Sequence, residues 1–466
     1  MSPALLLIGV LTYFGLLLVL ARCVSHGSGA EGFYVGGRES PWPVVAFGMI
    51  GTSLSGVTFI SVPGSVAVSG FSYLQVTLGY VVGYVVIAFV LLPAYHRLRL
   101  ASIYGLLGER LGPAAQRLGS AYFILSRTLG ATARLYLVVQ VLHTLIMAPL
   151  GVPFAVGAAV VLVMILLYTV EGGVKALVWT DTLQTAGMLT GLAVCTVLLW
   201  QPDALQQMDA AGLTRVWVTD PLSRDFSVKA LLAGMFITIA MTGLDQEMMQ
   251  KSLSVAKLRD AQKNLLVLGV LMLVVIAAFL LLGGLLSLYA QQHGIAAGGD
   301  ALFPTVVMQH LPAWVQVVFV LALVSALLPS ADGALTALTA STCLDLLRIP
   351  REDTRTRQRV HLGFAVLFLA LVLGFKALDN ASMIYLILKL AGYTYGPLLG
   401  LFAFAMFSPK ALPGRTLTAV CLAAPALCAV LDLGQPWGGY QIGLELLLLN
   451  GMLTWAGLWW VGRWRR

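Results

Sequence analysis

Charge is what this sequence has least of. Only 28 of its 466 residues are Lys or Arg and 20 are Asp or Glu, whereas a soluble domain is about a quarter charged. No water-soluble domain of ordinary composition fits the chain. Cysteine is scarce too: Cys23, Cys195, Cys343, Cys421 and Cys428 are odd in number and lie in or beside apolar runs. No disulfide framework or metal-ligand spacing follows from them. The six histidines, His26, His96, His143, His293, His310 and His361, are scattered without ligand spacing, so an integral-membrane enzyme is not expected. The first apolar run has no basic residue before it and no small-residue cleavage site, and it reads as a retained span rather than a signal peptide.

What fills the chain is apolar sequence. Hydrophobic residues make up 59%, and stretches of 18 or more with almost no charge recur, each long enough for a hydrocarbon core of roughly 30 Å. They fall at 2–22, 41–68, 71–95, 119–147, 151–170, 178–200, 227–248, 264–290, 314–343, 360–376, 380–407, 416–431 and 441–461. These are spans 1 to 13 below, and they predict an all-α polytopic membrane protein of about 13 transmembrane helices.

The net charge of +8 is explained by where the bases lie. The intervals after odd-numbered spans, with the carboxyl end, hold 21 of the 28 Lys and Arg, Lys175 and Lys251 among them, while the opposite side holds Arg215, Arg224, Lys229 and Lys376. By the positive-inside rule the amino end is outside and the carboxyl end cytoplasmic, which places the chain in the plasma (inner) membrane. The asymmetry leaves a nucleic-acid role without support, and nothing implies an obligate protein partner. Arg127, Arg134 and Lys389 remain within spans, with Asp181, Asp245 and Asp332 at comparable depth. Each such charge costs about 2.5–3.5 kcal/mol on insertion scales and faces protein or a water-filled cavity. A polar pathway and structural ion pairs both fit.

Two spans contain polar breaks. Span 2 carries Gly51-Thr52-Ser53-Leu54-Ser55-Gly56-Val57-Thr58 ahead of Pro63-Gly64, and five spans later span 7 carries Thr242-Gly243-Leu244-Asp245-Gln246. Breaks at corresponding places of two five-helix halves mark an inverted-repeat transporter with its site near the midplane. The expected organisation is therefore an extra span at 1–22, repeat one at 41–200, repeat two at 227–407 and two peripheral spans at 416–461. Span 9 holds Ser325 to Thr336 with Pro329, Ser330 and Asp332, and Pro329 removes a helical donor from the Ser325 carbonyl. Span 11 repeats glycine at 392, 396 and 400, a face expected for close helix packing, while Tyr393, Thr394 and Tyr395 are candidates to line a cavity.

Gly36-Gly37-Arg38, the Ser-Gly and Pro-Gly of span 2, Glu171-Gly172-Gly173-Val174-Lys175 through Trp179-Thr180-Asp181-Thr182-Leu183-Gln184, and Ser330-Ala331-Asp332 together resemble the sodium:solute symporters, whose members carry proline, sugars, sialic acid, iodide, monocarboxylates and vitamins. The resemblance covers about 33 to 407. It implies a LeuT-type five-plus-five core with a broken first helix in each repeat. It also implies sodium held by the carbonyls of Gly51, Leu54 and Ala326 and by two hydroxyls of span 9. Of those hydroxyls only Ser330 is present, because Pro329 replaces the other. Some relatives use an acid matching Asp181 with two more hydroxyls of span 9 for a further ion, but here those hydroxyl positions are Asp332 and Gly333. Sodium with altered affinity is the expected coupling ion, with a proton on Asp332 or Asp181 as the alternative. No organic cofactor is implied. Asp181 is expected on the inward release path or paired with a cytoplasmic base such as Lys175.

The resulting expectation is a secondary active transporter, not an enzyme, that symports a small polar solute with sodium by alternating access. A proton-coupled or sodium-independent carrier and a transporter-like receptor are the competing readings. A sensor would be expected to append a signalling domain, whereas the sequence ends at Arg466 after span 13. Candidate solute contacts are Ser53, Ser55, Thr58, Thr242, Gln246, Tyr393 and Tyr395, and Arg134 suits a carboxylate if it faces the cavity.

Overall fold

The computed structural model describes residues 3–25, 29–54, 56–223, 226–378, 381–408, 411–434 and 445–464. Ser55 and the side chain of Lys389 lie outside what is described. Among the described residues all regular structure is helical, and every expected span falls on helix. Among the described residues eight helices are long and apolar enough to cross a membrane singly, and ten spans result if each of two bent pairs is one. The difference from thirteen lies in spans 5 and 6, two helices that follow one another without a loop and count there as one, and in spans 11 and 13.

That element, Phe154–Leu199, has 46 residues and would be about 69 Å long if straight, over twice the hydrocarbon thickness. It is broken at one point, Gly173, where φ is 49° and ψ −136°. A side chain there would strike Phe33, whose backbone packs against this glycine. Phe33 belongs to the short helix Ala30–Val35 ahead of span 2. The Arg357 guanidinium lies 4.2 Å from the centre of the Phe33 ring. Gly36, at φ 60°, sits against Ser254 and Val174. Arg38 then donates to the carbonyls of Arg99 and Leu100 at 3.0 and 2.9 Å. The motif ahead of span 2 and the glycine between spans 5 and 6 are thus used to pack one end of the bundle.

Both predicted breaks are present. Span 2 runs Trp42–Ser53 and resumes as a second helix ending at Ser69, with 61° between the pieces, and span 7 bends by 68° between Ser227–Gly243 and Gln246–Leu253. In span 2 Leu54 leaves the helix for extended torsions, φ −88° and ψ 99°. In span 7 a wide π-turn over Ile239–Gly243 precedes the break, as such turns often do at functional sites. The second half restarts because the Asp245 carboxylate caps it, accepting from the N–H groups of Glu247 and Met248 at 2.9 and 3.3 Å, which satisfies donors a helix start leaves open.

Span 9 stays straight through its proline: Leu328 keeps helical torsions, φ −62° and ψ −43°, so Pro329 interrupts hydrogen bonding rather than direction. Span 11 uses its glycines for packing. A side chain at Gly396 would collide with Asn450 and one at Gly400 with Thr454, both on span 13, Leu446–Trp464.

Candidate functional site

The sodium ligands implied by resemblance come from two places that meet. Gly51 stands at the end of the first half of span 2, and a side-chain carbon there would lie 3.7 Å from Pro329 Cγ. Gly56, just past the break, is pressed against Leu327. Span 2 therefore crosses span 9 at the proline. The Gly51 N–H is held by the Thr185 hydroxyl at 3.1 Å, which itself donates to the Gly48 carbonyl at 3.2 Å. Leu54 and Ala326 are fully buried. The Ser330 hydroxyl donates to the Leu327 carbonyl at 2.8 Å, which leaves its oxygen lone pairs free to face a cation. An all-oxygen set of carbonyls and one hydroxyl suits a hard cation. Pro329 contributes no oxygen.

Beside this crossing the resemblance leads one to expect hydroxyls, and the structure puts a charged network there instead. The Lys251 ammonium, on the second half of span 7, lies 2.5 Å from Asp181 Oδ2 and 2.8 Å from the Thr52 hydroxyl. Thr52 in turn donates to the same Asp181 oxygen at 3.0 Å. The partner of Asp181 is thus Lys251 and not Lys175. Asp332 accepts from the Tyr168 hydroxyl at 2.6 Å, from the Gln184 amide at 3.3 Å and from the Gly333 N–H at 2.6 Å, tying spans 5, 6 and 9. Gly333 has no side chain because Glu247 occupies the space where one would project.

The network continues into span 4. Arg127 meets Asp245 at 2.8 Å and Glu247 at 3.0 Å, and the Tyr395 hydroxyl donates to the other Asp245 oxygen at 2.9 Å. Arg127 is therefore paired within the bundle, the cheapest arrangement for a charge away from water. Arg134 lies seven residues on, two turns along the same helix face. It is half-buried, within the electrostatic reach of Arg127, Tyr395, Glu247 and Asp245. It has no ion pair or hydrogen bond among the described residues.

The remaining solute candidates divide. Ser53 and Thr242 both stand beside the Tyr84 hydroxyl, so the two breaks are brought together at span 3, Tyr73–Arg97. Thr58 is half-buried one turn beyond the span 2 break. Gln246 is not part of this group. Its amide is consumed by the loop after span 3, accepting from the Ile103 N–H at 2.9 Å and donating to the Ala101 carbonyl at 2.8 Å. Tyr393 also points elsewhere, bonding Asp432 on span 12.

Two residues of the network were not foreseen as such. Lys251, counted by the charge rule as cytoplasmic, is 1% exposed, and Glu247 is fully buried. Their spacing held the signal: Glu247 and Lys251 are four apart, on one face of the helix that starts at Asp245.

Comparison with known proteins agrees with this architecture. The sodium:solute symporter family profile matches residues 33–415. A solved structure of a sodium-coupled sialic acid symporter, substrate-bound and outward-open, superposes with a TM-score of 0.85 over 97% of this chain and 96% of its own at 16% identity, showing a shared fold. The sodium/sialic acid symporter NanT of Aliivibrio fischeri is 24% identical over 96% of this chain and 93% of its own. The mouse sodium-coupled monocarboxylate transporter 1 is 27% identical over 86% of this chain and 69% of its own. The human sodium/iodide cotransporter is 26% identical over 87% of this chain, which spans 65% of that longer relative. With two broken spans, the first of them crossing a proline-marked ninth, and the family profile over most of its length, the chain belongs to the sodium:solute symporter family and is a multi-pass membrane transporter rather than an enzyme.

Proposed function

We propose that this symporter carries a small polar solute bearing a carboxylate, driven by sodium bound between Gly51, Leu54, Ala326 and Ser330, with the amino end outside and the carboxyl end in the cytoplasm. The observation that carries the reading is Arg134: a guanidinium half-buried among spans, two turns from a fully paired arginine, and itself without an acid. A buried charge is normally paired, and a guanidinium matches a carboxylate in a two-point fork. Two of the relatives named above take acids, sialic acid and monocarboxylates. Ser53, Thr58 and Thr242 supply hydroxyls beside the two breaks, and Tyr395 is anchored by its bond to Asp245, the acid that Arg127 pairs.

Coupling requires that sodium favour one conformation over another, since an ion binding both equally would drive nothing. Sodium at the crossing of spans 2 and 9 does this by holding the two together until solute is bound. The test is a thermal-shift screen of purified protein against sugars, amino acids, nucleosides and carboxylates in sodium and in choline at several pH values, followed by uptake into proteoliposomes. Stabilisation by a carboxylate that needs sodium, and is lost in Arg134→Gln, is expected. A neutral solute bound equally by that variant, or binding driven by acid and indifferent to sodium, would sink the reading.

A further inference from the structure

We propose that the Lys251 ammonium is a tethered cation occupying the Asp181 and Thr52 oxygen site, so that the protein binds a single sodium ion and keeps a fixed positive charge where a second free cation would bind.

The argument rests on geometry. Lys251 Nζ has two oxygen partners, Asp181 Oδ2 at 2.5 Å and Thr52 Oγ1 at 2.8 Å, and the side chain is 1% exposed. A carboxylate and a hydroxyl from separate helices converging on one positive centre are what a hard monovalent cation also takes, so the ammonium and a free ion compete for the same oxygens. Beyond its partner Asp181 on span 6, the ammonium feels the charges of Glu247 on its own helix and Asp332 on span 9. Three acids thus act on one base. Two sequence departures fall in the same place: Asp332 and Gly333 stand where hydroxyls were expected, Gly333 makes room for Glu247, and Glu247 precedes Lys251 by one helical turn. Together they replace hydroxyls with acids around an oxygen site that already contains its cation. Asp181 Oδ1 is buried and has no hydrogen-bond partner, so the carboxylate keeps capacity for a cation if the lysine is removed.

The inference depends on sodium coupling only for its readout, and direct binding separates the two. Radiolabelled sodium is titrated onto the purified full-length protein, with choline holding ionic strength constant. One sodium per chain is expected for the wild type and two for Lys251→Met, the second disappearing in Lys251→Met with Asp181→Asn. Two ions on the wild type, or the same number of ions on the wild type and on Lys251→Met, would overturn the proposal. No sodium on the wild type but one on Lys251→Met would sink sodium coupling and leave this inference standing. If Lys251→Met does not fold alone, the doubly neutral variant replaces it. That variant is expected to bind one sodium as the wild type does, and a loss of all binding would show that Asp181 holds the transported ion.

Discussion

Arg127 and Asp245 meet at 2.8 Å between span 4 and the break of span 7, and the same carboxylate caps the half-helix that carries Glu247 and Lys251. One acid therefore sets both where span 7 restarts and where span 4 is pinned. Removing one member of a buried pair costs about 3–5 kcal/mol because the other charge is stranded. Arg127→Met strands two acids and is expected to lower the melting temperature in detergent strongly. Adding Asp245→Asn should recover part of that loss, since asparagine still caps. A double variant less stable than Arg127→Met would show that the pair is not coupled.

Ser330 and Pro329 make opposite predictions for sodium. A hydrogen bond to a charged group contributes about 1.5–3 kcal/mol, so Ser330→Ala should raise the sodium concentration for half-saturation by about 10- to 100-fold. Pro329→Ser returns the missing hydroxyl and should lower it. Sodium titrations of thermal stability measure both, and an unchanged midpoint in Ser330→Ala would place the ion elsewhere.

Gly173 allows no side chain. Its φ of 49° is unfavourable for any L residue, and the Phe33 backbone fills the space a side chain would need. Strained torsions alone cost about 1–3 kcal/mol. Gly173→Ala should reduce the yield of monodisperse protein, and a relief substitution at Phe33 should not restore it, because the contact is with backbone. Restoration would show that the Phe33 ring, and not the chain path, is the obstacle.

Asp353, just ahead of span 10, is held below the ordinary aspartate range by the hydroxyl and N–H of Thr356, at 2.6 and 3.0 Å. A depressed folded-state pKa gives stability that is present above the unfolded value of about 3.9 and is lost as pH falls through the folded one. Wild type and Asp353→Ala should therefore differ in melting temperature at neutral pH and converge below about pH 4. A gap that persists into acid would mean the residue acts through something other than its charge.

Much of the arrangement was legible in the sequence, and the failures have one cause. The two breaks could be read because Gly, Ser and Thr interrupt apolar runs that are otherwise continuous. The packing face at Gly396 and Gly400 was readable from spacing. Lys251 was not, because a charge just beyond an apolar run is ordinarily in water. Here the half-helix after the break turns by 68° and runs through the protein interior, so distance along the chain no longer measures distance from solvent. The orientation of Gln246 and Tyr393 was hidden for a related reason. Gln246 stands next to a break and Tyr393 within span 11, but each side chain is turned to a neighbour by contacts far away in sequence, Gln246 to residues 101–103 and Tyr393 to Asp432.

The seating of Asn450 and Thr454 against Gly396 and Gly400 gives this transporter an internal ruler. Side chains pressed onto bare backbone leave no slack between spans 11 and 13, so the two are expected to travel as one body in any rocking motion. A label pair across that contact should report a constant separation throughout the transport cycle, against which movement of the half-helices can be calibrated within the same molecule.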